Sequence, residues 1–255
     1  MSSDASFLSL NSVTFGQESR LLIQHFSLAI ARSGFTVLFG GTGSGKTLVM
    51  KLLAGIYHPH EGEVLVDGMV VGNLTPAEST RLKRRMGFVF QDAALISNLS
   101  IRENLMLPLN QHLPDLTIEE KTDQIKNMLT RFGIIQSIDR RPADLSLTQR
   151  RLAGWARALM TGPDILLADD PLTGIDPVNR KRLMMELASL KASGTTVVCA
   201  TQSLIGLDEL ADKIAVLDHG TLIDFGSLDD IHDSTHAITT RLLADDRQTH
   251  MINRT

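Results

Sequence analysis

The sequence predicts an α/β protein with a mostly parallel sheet, an N-terminal antiparallel β-subdomain and an α-helical insert. A glycine-rich loop at residues 40–47 lies between a strand-like apolar run and a helix-like run. After residue 160, short apolar runs alternate with helical stretches, which is typical of a parallel sheet covered by helices on both faces. From Asp92 the pattern becomes helical, and we delimit the insert as residues 92–160.

The first elements are short runs with β-type character at residues 8–10, 12–15 and 26–30. A polar turn at residues 16–19 separates them. Residues 63–68 predict a further strand that closes with an Asp-Gly turn. We expect these runs to form one antiparallel sheet that precedes the parallel one.

The glycine-rich loop fits the phosphate-binding pattern G-x-x-x-x-G-K-[ST] at every fixed position. Its residues are Gly40, Gly41, Thr42, Gly43, Ser44, Gly45, Lys46 and Thr47. Glycines let backbone N–H groups point at phosphate oxygens, Lys46 reaches the β- and γ-phosphates, and the Thr47 hydroxyl suits Mg²⁺. A strand at Phe35–Phe39 precedes the loop, and a helix from Leu48 to Ala54 turns its N-terminal dipole toward the anion. We therefore assign the loop and Leu48 to nucleotide binding.

Further elements follow in the order that the alternation predicts. Residues 88–90 form a core strand that ends at Gln91, and a capping box at Thr117 opens a helix of the insert. One face of that helix carries the apolar residues Ile118, Ile125, Met128, Leu129 and Phe132. The later strands are predicted at residues 165–168, 196–200, 214–217 and 222–224, and helices at residues 180–191 and 238–243.

A carboxylate follows the apolar run at residues 165–168. Asp169 stands at the C-terminal end of that predicted strand, where open α/β sheets bind their ligands. We expect Asp169 to hold Mg²⁺ together with Thr47, and Asp170 to orient an attacking water. The alternative is that Asp169-Asp170-Pro171 only starts a helix.

Composition restricts the functional class. At 255 residues the chain can bury a full core, and 43% apolar residues with a formal net charge of −4 are typical of a globular protein. We expect no nucleic-acid partner, because no basic field is present to neutralise its phosphates. The single cysteine, Cys199, is expected to be buried. The sequence has no run of eighteen apolar residues and no secretory signal, so we expect a cytosolic protein that reaches a membrane through partners.

From about residue 8 to residue 230 these motifs resemble those of the ATP-binding cassette (ABC) ATPases. Phe90-Gln91 resembles the Q-loop, residues 145–149 stand at the signature sequence, Asp169-Asp170-Pro171 stands at the end of Walker B, and residues 174–177 resemble the D-loop. The resemblance implies a RecA-like P-loop core within a single nucleotide-binding domain at residues 1–255. The helical subdomain would be residues 92–160, and residues 227–255 would form a C-terminal extension.

The resemblance also implies ATP and Mg²⁺ as cofactors and a set of partner subunits. Gln91 would contact Mg²⁺ and act in catalysis with Asp170. Two such domains would face each other head to tail, so that Ser146 and Gln149 of one contact the ATP held by the other. The facing domain would be a second copy or a different ABC subunit. Transmembrane permease subunits docked near the Q-loop and insert would hold the chain at the cytoplasmic face of the inner membrane.

Within the family, three segments are most similar to ATPases of Mla/MCE-type phospholipid transporters. They are the ungapped start from Val13 to Leu28, residues 90–96 with Glu103-Asn104, and the Gly-Ile-Asp-Pro D-loop. This similarity implies phospholipid as the cargo and a lipid-binding MCE-type subunit as a partner. Cell-division and lipoprotein-export ABC subunits carry similar Q-loop regions, so the subfamily stays open at this point.

Several positions depart from the family pattern. Leu147 and Thr148 replace the two glycines of Leu-Ser-Gly-Gly-Gln, and their side chains would crowd the facing ATP. Asp170 replaces a glutamate and is one methylene shorter, so its carboxylate would lie about 1 Å farther from the attacking water. Gln202 replaces the switch histidine and offers hydrogen bonds without positive charge. We therefore expect Asp170, Gln91 and Gln202 to support only weak ATPase activity in the chain alone.

Other side chains near the motifs have two interpretations. Gln17 falls where an aromatic residue often stacks on adenine, and Phe15 is either a core residue or a substitute platform. Arg150, Arg151 and Arg157 are expected to be exposed helix charges rather than phosphate contacts.

Two functional classes fit the motifs. The first is an energy-coupling ATPase that works through membrane subunits. The second is a soluble nucleotide-gated switch in which ATP drives dimerisation and hydrolysis hardly matters. The tail at residues 227–255 either frays or clasps a partner subunit, and sequence does not choose between these.

Overall fold

The computed structural model describes residues 6–17 and 20–252. Within the predicted turn at residues 16–19, Glu18 and Ser19 lie outside the described residues, as does the side chain of Gln17. The strands are β1 (Leu8–Gln17), β2 (Arg20–Ile30), β3 (Phe35–Phe39), β4 (Glu61–Val66), β5 (Met69–Val70), β6 (Met86–Val89), β7 (Ile165–Asp169), β8 (Thr196–Thr201), β9 (Lys213–Asp218) and β10 (Thr221–Gly226). The α-helices are α1 (Lys46–Leu53), α2 (Pro76–Arg85), α3 (Ile101–His112), α4 (Ile118–Arg131), α5 (Leu147–Leu159), α6 (Pro177–Ala192), α7 (Leu228–His232) and α8 (Ala237–Ile252).

The strands form two sheets. The larger sheet has the order β10-β9-β3-β8-β7-β6, in which β9, β3, β8, β7 and β6 are parallel and β10 is antiparallel to β9. The smaller sheet is antiparallel, with the order β2-β1-β4-β5. The predicted fold class is confirmed: an α/β core with a mostly parallel sheet is joined to a largely N-terminal antiparallel sheet, and helices lie between β6 and β7. The expectation that the antiparallel sheet precedes the parallel one is met only by β1 and β2, because β3 comes before β4 and β5.

The large sheet is buried on both faces because successive side chains of a strand point in opposite directions. In β3, Phe35, Val37 and Phe39 join one core with α3, α4 and α5, in which Trp155 is fully buried. Leu38 lies in a second core, which the large sheet shares with α1 and the small sheet. Cys199 is buried as predicted, and burial raises the pKa of its thiol.

The apolar face predicted for α4 is buried in its later turns but not at its first residue, Ile118. Ile118 is 70% exposed, whereas Ile125, Leu129 and Phe132 are fully buried. The angular period of the helix does place Ile118 above Ile125, but it is the first residue of α4 and follows the Thr117 cap. Ile118 therefore lies beyond the edge of the core, whereas the later turns of α4 pack into it.

The C-terminal helix is longer than the predicted helix at residues 238–243, because α8 continues to Ile252. It packs against the core through the buried Leu243, and Asp224 of β10 accepts hydrogen bonds from the hydroxyls of Ser234 and Thr239. The treatment of residues 92–160 and 227–255 as separate units stays a prediction. No helix in the described ranges combines the length and apolar character needed to cross a membrane.

Candidate nucleotide-binding site

The phosphate loop connects β3 to α1 and closes so tightly that side chains are excluded at two of its glycines. A Cβ on Gly40 would lie 2.3 Å from the carbonyl oxygen of Leu217, and one on Gly45 would lie 2.9 Å from Ile23 Cδ1. Gly45 is also the N-cap of α1 with a φ of 102°, a conformation that glycine adopts without steric penalty. The loop therefore closes on the sheet only with glycine at these positions.

Lys46, the first residue of α1, turns back over the loop. Its Nζ donates hydrogen bonds to the carbonyl oxygens of Gly40 and Gly41, both at 2.7 Å, and to Ser44 Oγ at 3.1 Å. Burial lowers the pKa of this ammonium group, and two nearby carboxylates oppose the shift. All three hydrogen-bond acceptors are neutral, so a phosphate oxygen would be a stronger partner than any of them.

The two side chains predicted to hold Mg²⁺ lie close together. Asp169 is the buried last residue of β7, and the Thr47 side chain is near enough to its carboxylate to lower its pKa by hydrogen bonding. Burial raises the pKa of Asp169, Asp170 adds to the rise, and the Thr47 hydrogen bond and the Lys46 charge oppose it. The fold therefore joins the phosphate loop to the acidic end of β7, and the role of both residues as metal ligands stays a prediction.

Asp170 lies between two partners. Its Oδ1 accepts a hydrogen bond of 2.6 Å from the Thr173 hydroxyl, and its Oδ2 accepts one of 3.4 Å from Gln91 Nε2. Its backbone has a φ of 50°, which aspartate tolerates better than most residues. The sequence analysis missed Thr173. Its signal is the spacing, because a hydroxyl three residues after an aspartate can close a turn onto the carboxylate.

Gln202 lies beside the phosphate loop, directly after β8. Its Oε1 accepts a hydrogen bond of 2.9 Å from the Thr42 hydroxyl. The backbone also joins the two segments, since Gly40 N–H donates to the carbonyl oxygen of Thr201 at 3.3 Å. The predicted switch position is therefore close to the place of the phosphates, with an uncharged amide at its tip.

The signature-like residues are not part of this cluster. Ser146 is the N-cap of α5 and forms a capping box with Gln149, which also donates to Ser137 Oγ at 3.5 Å. None of these hydrogen bonds reaches the phosphate loop. Leu147 is 50% exposed at the start of the helix. This arrangement is compatible with the predicted contact to a facing domain, which is not tested within one chain.

The expectation of exposed arginines on α5 is wrong for Arg151 and Arg157, which are partly buried. Arg151 donates to the carbonyl oxygen of Thr173, and Arg157 donates to the two carbonyl oxygens of residues 93–94. Arg150 is exposed as predicted. The helical pattern alone could not distinguish the exposed Arg150 from the partly buried Arg151 and Arg157, because the loops that the latter two contact are distant in sequence.

Phe15 belongs to the core. It is 7% exposed, and its ring stacks on Tyr57 with a centroid distance of 5.1 Å and on His60 with one of 5.5 Å. These contacts favour the first of its two interpretations over that of a base platform.

The donor set at the loop suits a magnesium ion that arrives with a nucleotide. Among the described residues, no group of three or more His, Cys, Asp and Glu side chains could hold a metal by itself. Mg²⁺ is usually held by one or two carboxylates together with phosphate oxygens and water. Asp169 and the Thr47 hydroxyl match this pattern, and Gln91 contacts Asp170, the residue after Asp169.

Comparison with known proteins identifies a family. The sequence profile of the ABC transporter family matches residues 23–173. The chain is 33% identical over 230 residues to methionine import ATP-binding protein MetN 2 of Paraburkholderia xenovorans (strain LB400), which covers 88% of this chain. It is 35% identical over 207 residues to molybdenum import ATP-binding protein ModC of Paramagnetospirillum magneticum (strain ATCC 700264 / AMB-1), which covers 79% of it. The matches span 59% and 55% of the length of these two relatives.

A solved structure shares the fold over most of the chain. It is a dimeric post-hydrolysis state of the ATP-binding cassette MJ0796 bound to ADP and phosphate. The match has a TM-score of 0.81 and 28% sequence identity, and it covers 87% of this chain and 98% of the other.

Proposed function

The chain belongs to the ABC transporter family, and from this premise we propose that it is the ATP-binding, ATP-hydrolysing subunit of a membrane transporter. The observation that carries the proposal is the closeness of the Thr47 side chain to the Asp169 carboxylate, which brings the phosphate loop and the end of β7 together. Lys46, beside them, would bind the β- and γ-phosphates, and Thr47, Asp169 and Gln91 would hold Mg²⁺. The ion would neutralise charge on the phosphates.

Hydrolysis by the chain alone is proposed to be slow. Asp170 would orient the attacking water, but its carboxylate is one methylene shorter than the family glutamate and is engaged by Thr173 at 2.6 Å. Gln202 would contact the γ-phosphate without adding positive charge. A displacement of about 1 Å at a catalytic group can lower a rate about a hundredfold. Nucleotide binding uses the phosphate loop and Asp169, which match the family pattern. We therefore expect ATP to bind normally although it is hydrolysed slowly.

A groove between the core and the helices supports docking of a membrane subunit. It has a volume of about 260 Å³, and its lining includes the apolar residues Phe88, Phe90, Leu107 and Pro108. Polar side chains, among them Lys83 and Gln111, line the rest. The two phenylalanine rings stack with a centroid distance of 4.2 Å, and Leu107 is exposed. A permease segment with apolar side chains would bury this surface.

The cargo would be chosen by the membrane subunits rather than by this chain. The names of the relatives refer to methionine import and molybdenum import, and they lend no support to the phospholipid cargo that the Mla/MCE resemblance implies. Phospholipid and small solutes are therefore competing candidates. A lipid-binding MCE-type subunit would accompany the first and a solute-binding subunit the second.

Nucleotide titration of the purified chain tests the binding step. MgATP should bind the wild type, and the Asp169→Asn variant should bind it about tenfold more weakly, because a carboxylate that contacts the metal is lost. Asp218→Asn is the matched control, since Asp218 also ends a parallel strand of the same sheet and is expected to be dispensable. A wild type that does not bind MgATP, or an Asp218→Asn variant as weak as Asp169→Asn, would contradict the proposal.

Purification of the native complex from membranes tests the transport step. We expect a multi-span permease to co-elute with this chain, either with a second copy of it or with a different ABC subunit. Recovery from the soluble fraction as an ATP-dependent dimer without membrane proteins would instead favour the nucleotide-gated switch. The identity of the co-eluting binding subunit distinguishes lipid from solute as cargo.

A further inference from the structure

The segment that follows Gln91 has an unusual backbone. Ala93 has a φ of 67° and Ala94 a φ of 45°, and they are the only two consecutive non-glycine residues with positive φ in the described part of the chain. In this region Cβ approaches the following carbonyl oxygen, and alanine has no polar side chain that could offset the strain. Two neighbouring alanines keep this conformation only if other contacts impose it.

A single side chain supplies those contacts. Arg157 of α5 donates from Nη1 to the carbonyl oxygen of Ala94 at 2.7 Å and from Nη2 to that of Ala93 at 3.0 Å. The planar guanidinium holds the two carbonyls at a fixed separation, which a single-point ammonium would not do. Asp92 contributes a weaker local restraint, since its Oδ1 accepts from Ala94 N–H at 3.1 Å.

The same helix is shaped to receive the alanines. A Cβ on Gly154 would lie 2.9 Å from Ala93 Cβ and 3.0 Å from Ala93 Cα, so a glycine is needed for this approach. Ala93 is almost fully buried there. One turn of α5 therefore offers a gap for Ala93, and Arg157 closes over the chain that enters it.

The segment that Arg157 holds is adjacent in sequence to Gln91, which contacts Asp170. Gln91 lies two residues before the strained pair, and its Nε2 is 3.4 Å from Asp170 Oδ2. The helix also holds the chain on the other side of the carboxylate, because Trp155 Nε1 donates to the Pro171 carbonyl oxygen at 3.4 Å. α5 thus holds two segments in place: the one that follows Gln91 and the one that contains Asp170.

We propose that Arg157 is a positioning residue: by holding the Ala93 and Ala94 carbonyls it keeps the segment left-handed and aims Gln91 at Asp170. This rests on the proposed function, because Gln91 matters only if the site turns over ATP. Without Arg157 the alanines return to an ordinary conformation, and the Gln91 amide moves away from the carboxylate.

The test is a double-mutant cycle on the full-length chain, measured as single-turnover phosphate release from saturating MgATP. Arg157→Ala and Gln91→Ala should each slow release about tenfold at MgATP concentrations that saturate each variant, so that the metal contact proposed for Gln91 does not enter the rate through binding. The double variant should be no slower than Gln91→Ala alone, because both changes remove the same contact between Gln91 and Asp170. Arg150→Ala, on the exposed side of the same helix, should match the wild type. Effects of Arg157→Ala and Gln91→Ala that multiply would overturn the proposal.

A rescue variant separates positioning from simple loss of structure. Ala94 is exposed, and glycine adopts the left-handed conformation without penalty, so Ala94→Gly should restore most of the rate lost in Arg157→Ala. Arg157→Lys should restore less. A combined variant as slow as Arg157→Ala would count against positioning.

Amide hydrogen exchange provides a readout that does not need turnover. Exchange in the peptide covering residues 88–96 should be faster in Arg157→Ala than in wild type or Arg150→Ala, and emission from the single tryptophan, Trp155, should stay unchanged if α5 is intact. Unchanged exchange would overturn the proposal. Failure of the wild type to bind MgATP would instead overturn the proposed function, so the two failures are distinguishable.

Discussion

The phosphate loop and the signature-like segment both correspond to family motifs with conserved roles for glycine, but this fold constrains them differently. In the loop, a Cβ on Gly40 would lie 2.3 Å from a backbone carbonyl oxygen of the same chain. In the signature-like segment, Leu147 and Thr148 occupy the first turn of α5, where Leu147 is 50% exposed and the helix is capped normally. The chain's own structure demands glycine in the first case and accepts larger residues in the second.

The difference separates what one chain needs from what a partner needs. Glycine in the loop is required for the loop to close on its own sheet, so its loss would damage the domain before any nucleotide arrives. Side chains at the signature leave the domain intact and act only on a molecule that approaches from outside. The altered signature is therefore compatible with a well-folded nucleotide binder whose assembly or turnover is changed.

Substitution within the phosphate loop should have the largest effect. Gly40→Ala would force a Cβ against the Leu217 carbonyl oxygen, so we expect MgATP affinity to fall about a hundredfold and the free energy of unfolding to fall by about 1–3 kcal/mol. Gly72→Ala, outside the loop, is the control, because a Cβ there meets nothing within 4 Å. Calorimetric titration and thermal unfolding measure both. Equal losses in the two variants would remove the contrast on which the comparison depends.

Lengthening the acid next to the metal site should have the next largest effect. Asp170→Glu restores the missing methylene, and we expect single-turnover phosphate release to rise about tenfold while MgATP affinity stays within about twofold. Asp170→Asn should be slower than wild type, since the amide cannot accept a proton from water. If Asp170→Glu is no faster than wild type, the short side chain is not what limits turnover, and the positive φ at this position would be the next feature to test.

Restoring the signature glycines should strengthen assembly while it weakens the fold. In Leu147→Gly/Thr148→Gly we expect ATP-dependent dimerisation to become about fivefold tighter, because the approach to a facing nucleotide is cleared. Two glycines in the first turn of α5 should lower the free energy of unfolding by up to about 1 kcal/mol each. Sedimentation with and without MgATP measures the dimer. A variant that dimerises no better than the wild type would show that these side chains do not control pairing.

The same division explains how far the sequence predicted the molecule. The phosphate loop, the acid at the end of β7 and the strands next to them were predictable because each depends on a local pattern: fixed glycines, an apolar run, a carboxylate at its end. The exposure of Ile118 and the contacts of Arg151 and Arg157 were not, because they depend on which distant segment meets a helix. Thr173 shows the intermediate case, a short-range contact whose spacing carries a signal only once Asp170 is known to matter.

The smallest expected effect is a pH dependence confined to the phosphate side. Burial raises the pKa of Asp169, so the folded free protein binds a proton there at a pH where the unfolded chain does not. The contribution of Asp169 to the free energy of unfolding therefore falls as the pH rises from its ordinary pKa through the raised one.

If Asp169 holds Mg²⁺ as proposed, MgATP binding needs its ionised carboxylate, so affinity should change in the opposite direction and rise with pH. We expect the wild type to gain affinity as the pH rises above the ordinary range of a carboxyl group, beyond the change seen in Asp169→Asn, which retains the protonation of ATP itself. Ser146, Leu147, Thr148 and Gln149 do not titrate in this range, so dimerisation at saturating MgATP should be unaffected. Calorimetry in two buffers with different ionisation enthalpies would measure the released proton. Equal pH profiles for the wild type and Asp169→Asn would show that the buried carboxylate is not the titrating group, and the phosphate side would then differ from the signature in geometry alone.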